Sequence, residues 1–67
     1  MAKIQLNGKK VTIKPNLTIQ NLLKQFKLDD KKVAIEHNGI IVQKSSYKKK
    51  YLKNNDKLEV VHFIGGG

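Results

Sequence analysis

A chain of 67 residues with fourteen lysines, no arginine, five carboxylates and no cysteine carries a formal charge of +9. That composition excludes a disulfide framework, a thiolate metal site and a thiol nucleophile, and two histidines far apart in sequence, His37 and His62, are too few for a histidine-based metal site. No apolar run approaches the ~20 residues needed to span a bilayer, and the N-terminus lacks the apolar core of a signal peptide, so a cytoplasmic protein with no membrane association is expected.

The length suits one domain over residues 1–67, with 64–67 as a flexible C-terminal tail. A core this small is marginal and has to be efficient. Lysine neutralises phosphate, but planar, bidentate readout of phosphate or guanine favours arginine. The charge therefore suits a non-specific phosphate contact, the steering of an acidic partner, or solubility alone.

In chain order, Lys3 to Leu6 and Lys10 to Ile13 alternate polar and apolar side chains around Asn7-Gly8-Lys9. Asn-Gly between alternating runs signals a tight hairpin, because both residues tolerate positive φ. A hairpin over residues 3–14 is expected, stopped by Pro15, which cannot donate to a ladder. Ile19, Leu22, Leu23 and Phe26 then recur at the spacing of one helical face. Thr18 is the expected N-cap, and Lys24 and Lys27 suit the last turn. Val33-Ala34-Ile35 follows as a buried strand, with a second Asn-Gly turn at Asn38-Gly39 before Ile40-Ile41-Val42. Residues 45–53 hold Tyr47 and Tyr51 four apart among lysines, which predicts a short helical turn with both rings on the core. Asn54-Asn55-Asp56 is a turn in which Asn55 can adopt a left-handed conformation. The last strand is expected over residues 58–64. One amphipathic helix needs a sheet to bury its stripe, so the class is α+β. With the C-terminal strand placed centrally, the architecture is a β-grasp, ubiquitin-like fold: a mixed sheet of four to five strands, one main helix and a short helical turn.

Catalytic constellations are not evident. The carboxylates form no obvious pair, and Asp29-Asp30 reads as a solvated loop. His62 reads as a structural histidine in an apolar strand, and His37 as exposed and idle. Lys48-Lys49-Lys50 between Tyr47 and Tyr51 could hold a single strand of nucleic acid through phosphate contacts and stacking. The competing account is a solvated edge whose tyrosines cover the core.

The tail has a chemistry of its own. Glycine lacks Cβ, so Gly65-Gly66-Gly67 is a thread able to enter a slot that excludes side chains, reaching roughly 10 Å past the strand. A carboxylate at its end is a poor electrophile until adenylation gives it a leaving group. Along the preceding strand, Leu58 and Val60 are assigned to the helix-facing side. Val61 and Phe63 are assigned to the open face, where with Ile64 they would form a lysine-rimmed docking patch.

The run from Asp56 through Leu58-Glu59-Val60-Val61-His62-Phe63-Ile64 to Gly65-Gly66-Gly67 resembles the C-terminus of the ThiS family of sulfur carriers in thiamin thiazole biosynthesis. The likeness extends to Leu6-Asn7-Gly8-Lys9, Thr18 to Leu23, Val33 to Asn38, and Ile41-Val42 with Tyr47. A terminal Gly-Gly alone is shared with ubiquitin-like proteins and the molybdopterin carrier. The chain has Gln43 where many members have proline and Asn55 where many have glycine. The resemblance implies a non-enzymatic carrier that binds no cofactor. Its Gly67 carboxylate would be adenylated by a ThiF-type adenylyltransferase using ATP. It would then be converted to a thiocarboxylate by a persulfide donor and give its sulfur to a ThiG-type thiazole synthase. Expected with it are a monomer that forms hetero-complexes and no nucleic-acid partner. Sulfur transfer for molybdopterin or tRNA thiolation, and a small basic nucleic-acid-binding domain, stand as alternatives.

Overall fold

The computed structural model describes residues 1–62. Phe63, Ile64, Gly65, Gly66 and Gly67, to which the sequence assigns part of the docking patch and the whole carrier tail, lie outside the described residues. Five strands and one helix follow in the order β1 (Ala2–Leu6), β2 (Lys9–Ile13), α1 (Ile19–Gln25), β3 (Val33–His37), β4 (Ile40–Val42) and β5 (Lys57–His62), with a 3₁₀ turn at Lys44–Ser46 between β4 and β5. They form one sheet in the order β2-β1-β5-β3-β4. The pairing of β1 with β5 is parallel and the other three are antiparallel. This is the expected β-grasp arrangement, with the last strand in the middle.

Both Asn-Gly pairs do what their chemistry suggests. Asn7 and Gly8 have φ of 50° and 82°, and Asn38 and Gly39 have 53° and 84°. Two consecutive positive-φ residues match the right-handed twist of the flanking strands. The sheet's inner face carries Ile4, Ile13, Val33, Ile35, Val42, Leu58 and Val60, buried with Ile19, Leu22 and Leu23 of α1 and with Tyr47 and Leu52.

The start of α1 is closed off completely. Thr18 Oγ1 accepts from Asn21 N–H at 3.1 Å, and the Asn21 side chain returns to Thr18 N–H at 3.4 Å. Ile19 and Gln20 N–H donate to the carbonyls of Lys50 and Tyr47, each at 3.0 Å, and Leu22 N–H reaches Thr18 C=O. The four donors that a helix start leaves free are thus all matched. At the other end Leu28 N–H donates to Leu23 C=O at 2.8 Å and Lys27 N–H to Lys24 C=O at 3.0 Å. That is a Schellman motif, with Lys27 at φ 58° where glycine usually sits.

Two expectations about packing are corrected here. Phe26 does not extend the buried stripe: the helix ends one residue earlier, and as its C-cap Phe26 is 39% exposed. The half-buried Leu28 takes up the packing instead, because the Schellman turn folds it back onto the core. Nor do the two tyrosines share a face. The 3₁₀ turn spans only Lys44–Ser46, so the four-residue spacing is not helical. Tyr47 is buried while Tyr51 is 54% exposed and forms a bridge with Thr18.

Candidate functional site

The residues that the sequence assigns to the carrier tail and its docking patch all follow or belong to β5, so the site is built from how that strand is held. On one side β5 pairs with the whole of β3, from Val33 opposite His62 to His37 opposite Leu58. On the other it pairs with β1 only at Gln5–Lys57 and Leu6–Leu58, because β1 turns away at Asn7.

Each Asn-Gly turn also grips β5. At its start, Asn38 N–H donates to Lys57 C=O, and Asn38 Oδ1 accepts from Lys57 N–H, both at 2.8 Å. Farther along, Asn7 Oδ1 accepts from Val60 N–H at 2.7 Å and Asn7 Nδ2 donates to Val60 C=O at 3.3 Å.

Between these grips sits Asp56, a buried carboxylate one residue before β5. It accepts from His37 Nε2 and from Lys53 N–H, each at 2.7 Å, and from Asn38 Nδ2 at 3.1 Å. Burial by itself would push this carboxyl up. The hydrogen bonds from His37, Lys53 and Asn38 outweigh it and hold the group below its ordinary value. His37 is therefore not the exposed, idle residue expected from its place beside a turn, since its ring closes over Asp56. His62 departs in the opposite direction. It shares a row with buried Val33 but, as the last described residue of β5, is exposed.

The outer face of the sheet is where Val61 lies, 60% exposed and opposite Ala34. The next row along carries Glu59 opposite Glu36, with Ile41 beyond them on β4. Lys3, Lys10 and Lys57 line a shallow depression at the far side of this face, over β1 and β2. Toward the start of β5 the outer face beside Val61 therefore carries Glu59 and Glu36; the rim expected around Val61, Phe63 and Ile64 together extends outside the described residues. Leu58 and Val60 are buried, on the inner side to which the sequence assigns them.

Burial of Tyr47 leaves only Tyr51 available for stacking beside Lys48-Lys49-Lys50, which removes half of the aromatic pair on which the nucleic-acid alternative rested. No cluster of three or more metal-ligating side chains occurs among the described residues. Among them, too, no helix is long and apolar enough to cross a membrane.

Comparison with known proteins places this geometry. A model of the ThiS family matches residues 4–67. The chain belongs to the ThiS family. The sulfur carrier protein ThiS of Bacillus subtilis is 45% identical over 65 residues, covering 96% of this chain and 98% of that protein. A thiazole synthase of Paramagnetospirillum magneticum is 43% identical over 65 residues, covering 97% of this chain but only 20% of the synthase. The crystal structure of the thiamine biosynthesis protein ThiS from Geobacter metallireducens superposes with a TM-score of 0.84 at 28% identity, covering 97% of this chain and 99% of that one. Within the ThiS fold, sequence reasoning found the strand that carries the tail but missed its grips, Asn7, Asn38 and the His37–Asp56 pair. The Asn-Gly dipeptides were visible only as turns, and nothing local announced that their side chains reach another strand.

Proposed function

We propose that this ThiS-family chain is a cytoplasmic sulfur carrier for the thiazole ring of thiamin, acting through the carboxylate of Gly67 and not as an enzyme in its own right. The observation that carries the proposal is that the family match runs through the glycines to residue 67. It is joined by near full-length similarity to a sulfur carrier protein.

In the proposed sequence, a carboxylate oxygen of Gly67 attacks the α-phosphorus of ATP on a ThiF-type adenylyltransferase, and pyrophosphate leaves. The terminal sulfur of a persulfide then attacks the acyl carbon and displaces AMP. A second thiol cleaves the resulting S–S bond, leaving a thiocarboxylate on Gly67. A ThiG-type thiazole synthase accepts that sulfur. Similarity to a segment amounting to a fifth of a thiazole synthase supports this partner. Gly65 and Gly66 serve as the thread that enters each partner's slot. Val61, Phe63 and Ile64 form the docking patch, in which Val61 is exposed at the end of the central strand. The chain itself binds no cofactor and acts as a monomer forming transient hetero-complexes.

The test is an intact-mass measurement after incubation with ATP, a ThiF-type adenylyltransferase and a persulfide source. Replacement of one oxygen by sulfur, abolished by deleting Gly66 and Gly67, is expected. An unchanged mass, with an adenylyltransferase active on its own carrier, refutes the proposal.

A further inference from the structure

In a parallel ladder one residue donates its N–H to one strand position and accepts from the next but one. The β1–β5 ladder follows this rule as far as Asn7. Gln5 N–H donates to Asp56 C=O and Asn7 N–H to Leu58 C=O, both at 2.9 Å. The next two bonds would join Val60 N–H to the main-chain carbonyl of residue 7, and Val60 C=O to the main-chain N–H of residue 9. The chain has left by then, because Asn7 and Gly8 form the turn into β2. The Asn7 side chain makes both bonds instead, its Oδ1 standing in for its own carbonyl and its Nδ2 for the amide of residue 9. A carboxamide offers the same acceptor and donor as a peptide group, so the substitution is chemically like for like. On the β3 side Val60 faces Ile35. Two residues earlier Leu58 C=O points to β1, where it accepts from Asn7 N–H, so by the alternation along a strand the N–H and C=O of Val60 point to the same side.

We infer that Asn7 is a positioning residue for the carrier tail: its side-chain amide prolongs the β1–β5 ladder past the end of β1 and thereby fixes the direction in which β5 delivers the residues after Val60. The inference rests on the carrier reading for its functional half. One residue meets two demands here. Asn tolerates φ of 50° in the turn, and it spans the gap to β5.

Asn7→Gly separates those demands, since glycine keeps the turn and removes the amide. The full-length chain, Asn7→Gly, Asn7→Asp and the control Val42→Ala would be compared. Val42 is a buried residue of the edge strand β4, in the row of Ile35 and Val60 but separated from β5 by β3. Its truncation loosens the same core while leaving the Asn7 amide in place. Amide hydrogen exchange is read at Val60 and His62 against Val33 and Ile35, and the KM and kcat for adenylation by a ThiF-type enzyme are read from pyrophosphate release.

In Asn7→Gly, exchange at Val60 should quicken about tenfold relative to Ile35, and KM for the chain should rise about tenfold with little change in kcat. Asn7→Asp keeps the acceptor for Val60 N–H and should recover most of the protection there. Val42→Ala should speed exchange evenly and leave KM within about twofold. If Val60 exchanges no faster in Asn7→Gly than in Val42→Ala, the clamp does not hold the strand. If it does exchange faster but the two variants share one KM, Asn7 is structural and does not aim the tail. If the parent chain is not adenylated at all, the carrier reading fails and the aiming role with it, while the exchange data still report on the clamp.

Discussion

Replacing Asp56 with alanine removes one acceptor and strands three donors at once: His37 Nε2, Asn38 Nδ2 and Lys53 N–H. A hydrogen bond to a charged group contributes about 1.5–3 kcal/mol. The three losses do not simply add, because the ring of His37 can tilt toward water once freed. A net loss of about 2–4 kcal/mol at pH 7 is expected, a large share of the roughly 3–10 kcal/mol available to a chain of this size. The melting temperature should fall by roughly 10–25 °C, read by circular dichroism, with urea titration as the independent measure.

The effect should also vanish in acid. The folded-state pKa of Asp56 lies below its ordinary value. Its contribution is therefore complete above the unfolded pKa, about 4, and is lost as pH falls through the folded value. Parent and variant curves should begin to converge below about pH 4 and meet only once the pH lies below the folded-state value. A loss under about 0.5 kcal/mol at pH 7, or a gap that stays constant down to pH 2, would refute the assignment of Asp56 as an ionised acceptor.

Three further outcomes follow from the same geometry. Lys27→Gly should raise stability by about 0.5–1 kcal/mol, because the position requires positive φ and its side chain is exposed; thermal melts decide it. Glu59→Gln should stabilise by about 0.2–1 kcal/mol by relieving the like-charge pair with Glu36, and a stability unchanged at low salt would show that solvent already screens the pair. Val61→Asp and Phe63→Ala should each weaken adenylation while leaving the melting temperature within a few degrees. If Phe63→Ala instead melts the domain, Phe63 belongs to the inner face.

The sequence disclosed what local chemistry encodes. Hairpin turns came from Asn-Gly, the helix from a four-residue apolar stripe behind Thr18, and the last strand's two faces from simple alternation. Its errors lie where a residue's role depends on a distant partner. Asn7 and Val60 are 53 residues apart, and His37 and Asp56 are 19 apart. No periodicity registers such pairs. Phe26 and Tyr51 misled for a related reason. Both fit a helical spacing, but the helix had already ended in one case and never formed in the other. Spacing proposes a shared face only for as long as the element lasts.

The placement of β5 connects the fold to its proposed task. A C-terminal strand on a sheet edge would be held from one side and could peel away when a partner drew on the residues beyond it. Here β3 pairs with β5 from Leu58 through His62. β1 covers only the first two positions on the opposite side, which would leave Val60 half-held where the strand nears its end. The Asn7 amide closes that gap without adding a strand that would bury the outer face around Val61. Had β1 run on beside β5, its main chain would have made the same bonds, but its side chains would have crowded the surface proposed for docking. A single carboxamide supplies the bonds alone, so β5 is gripped on both sides through Val60 while Val61 remains exposed.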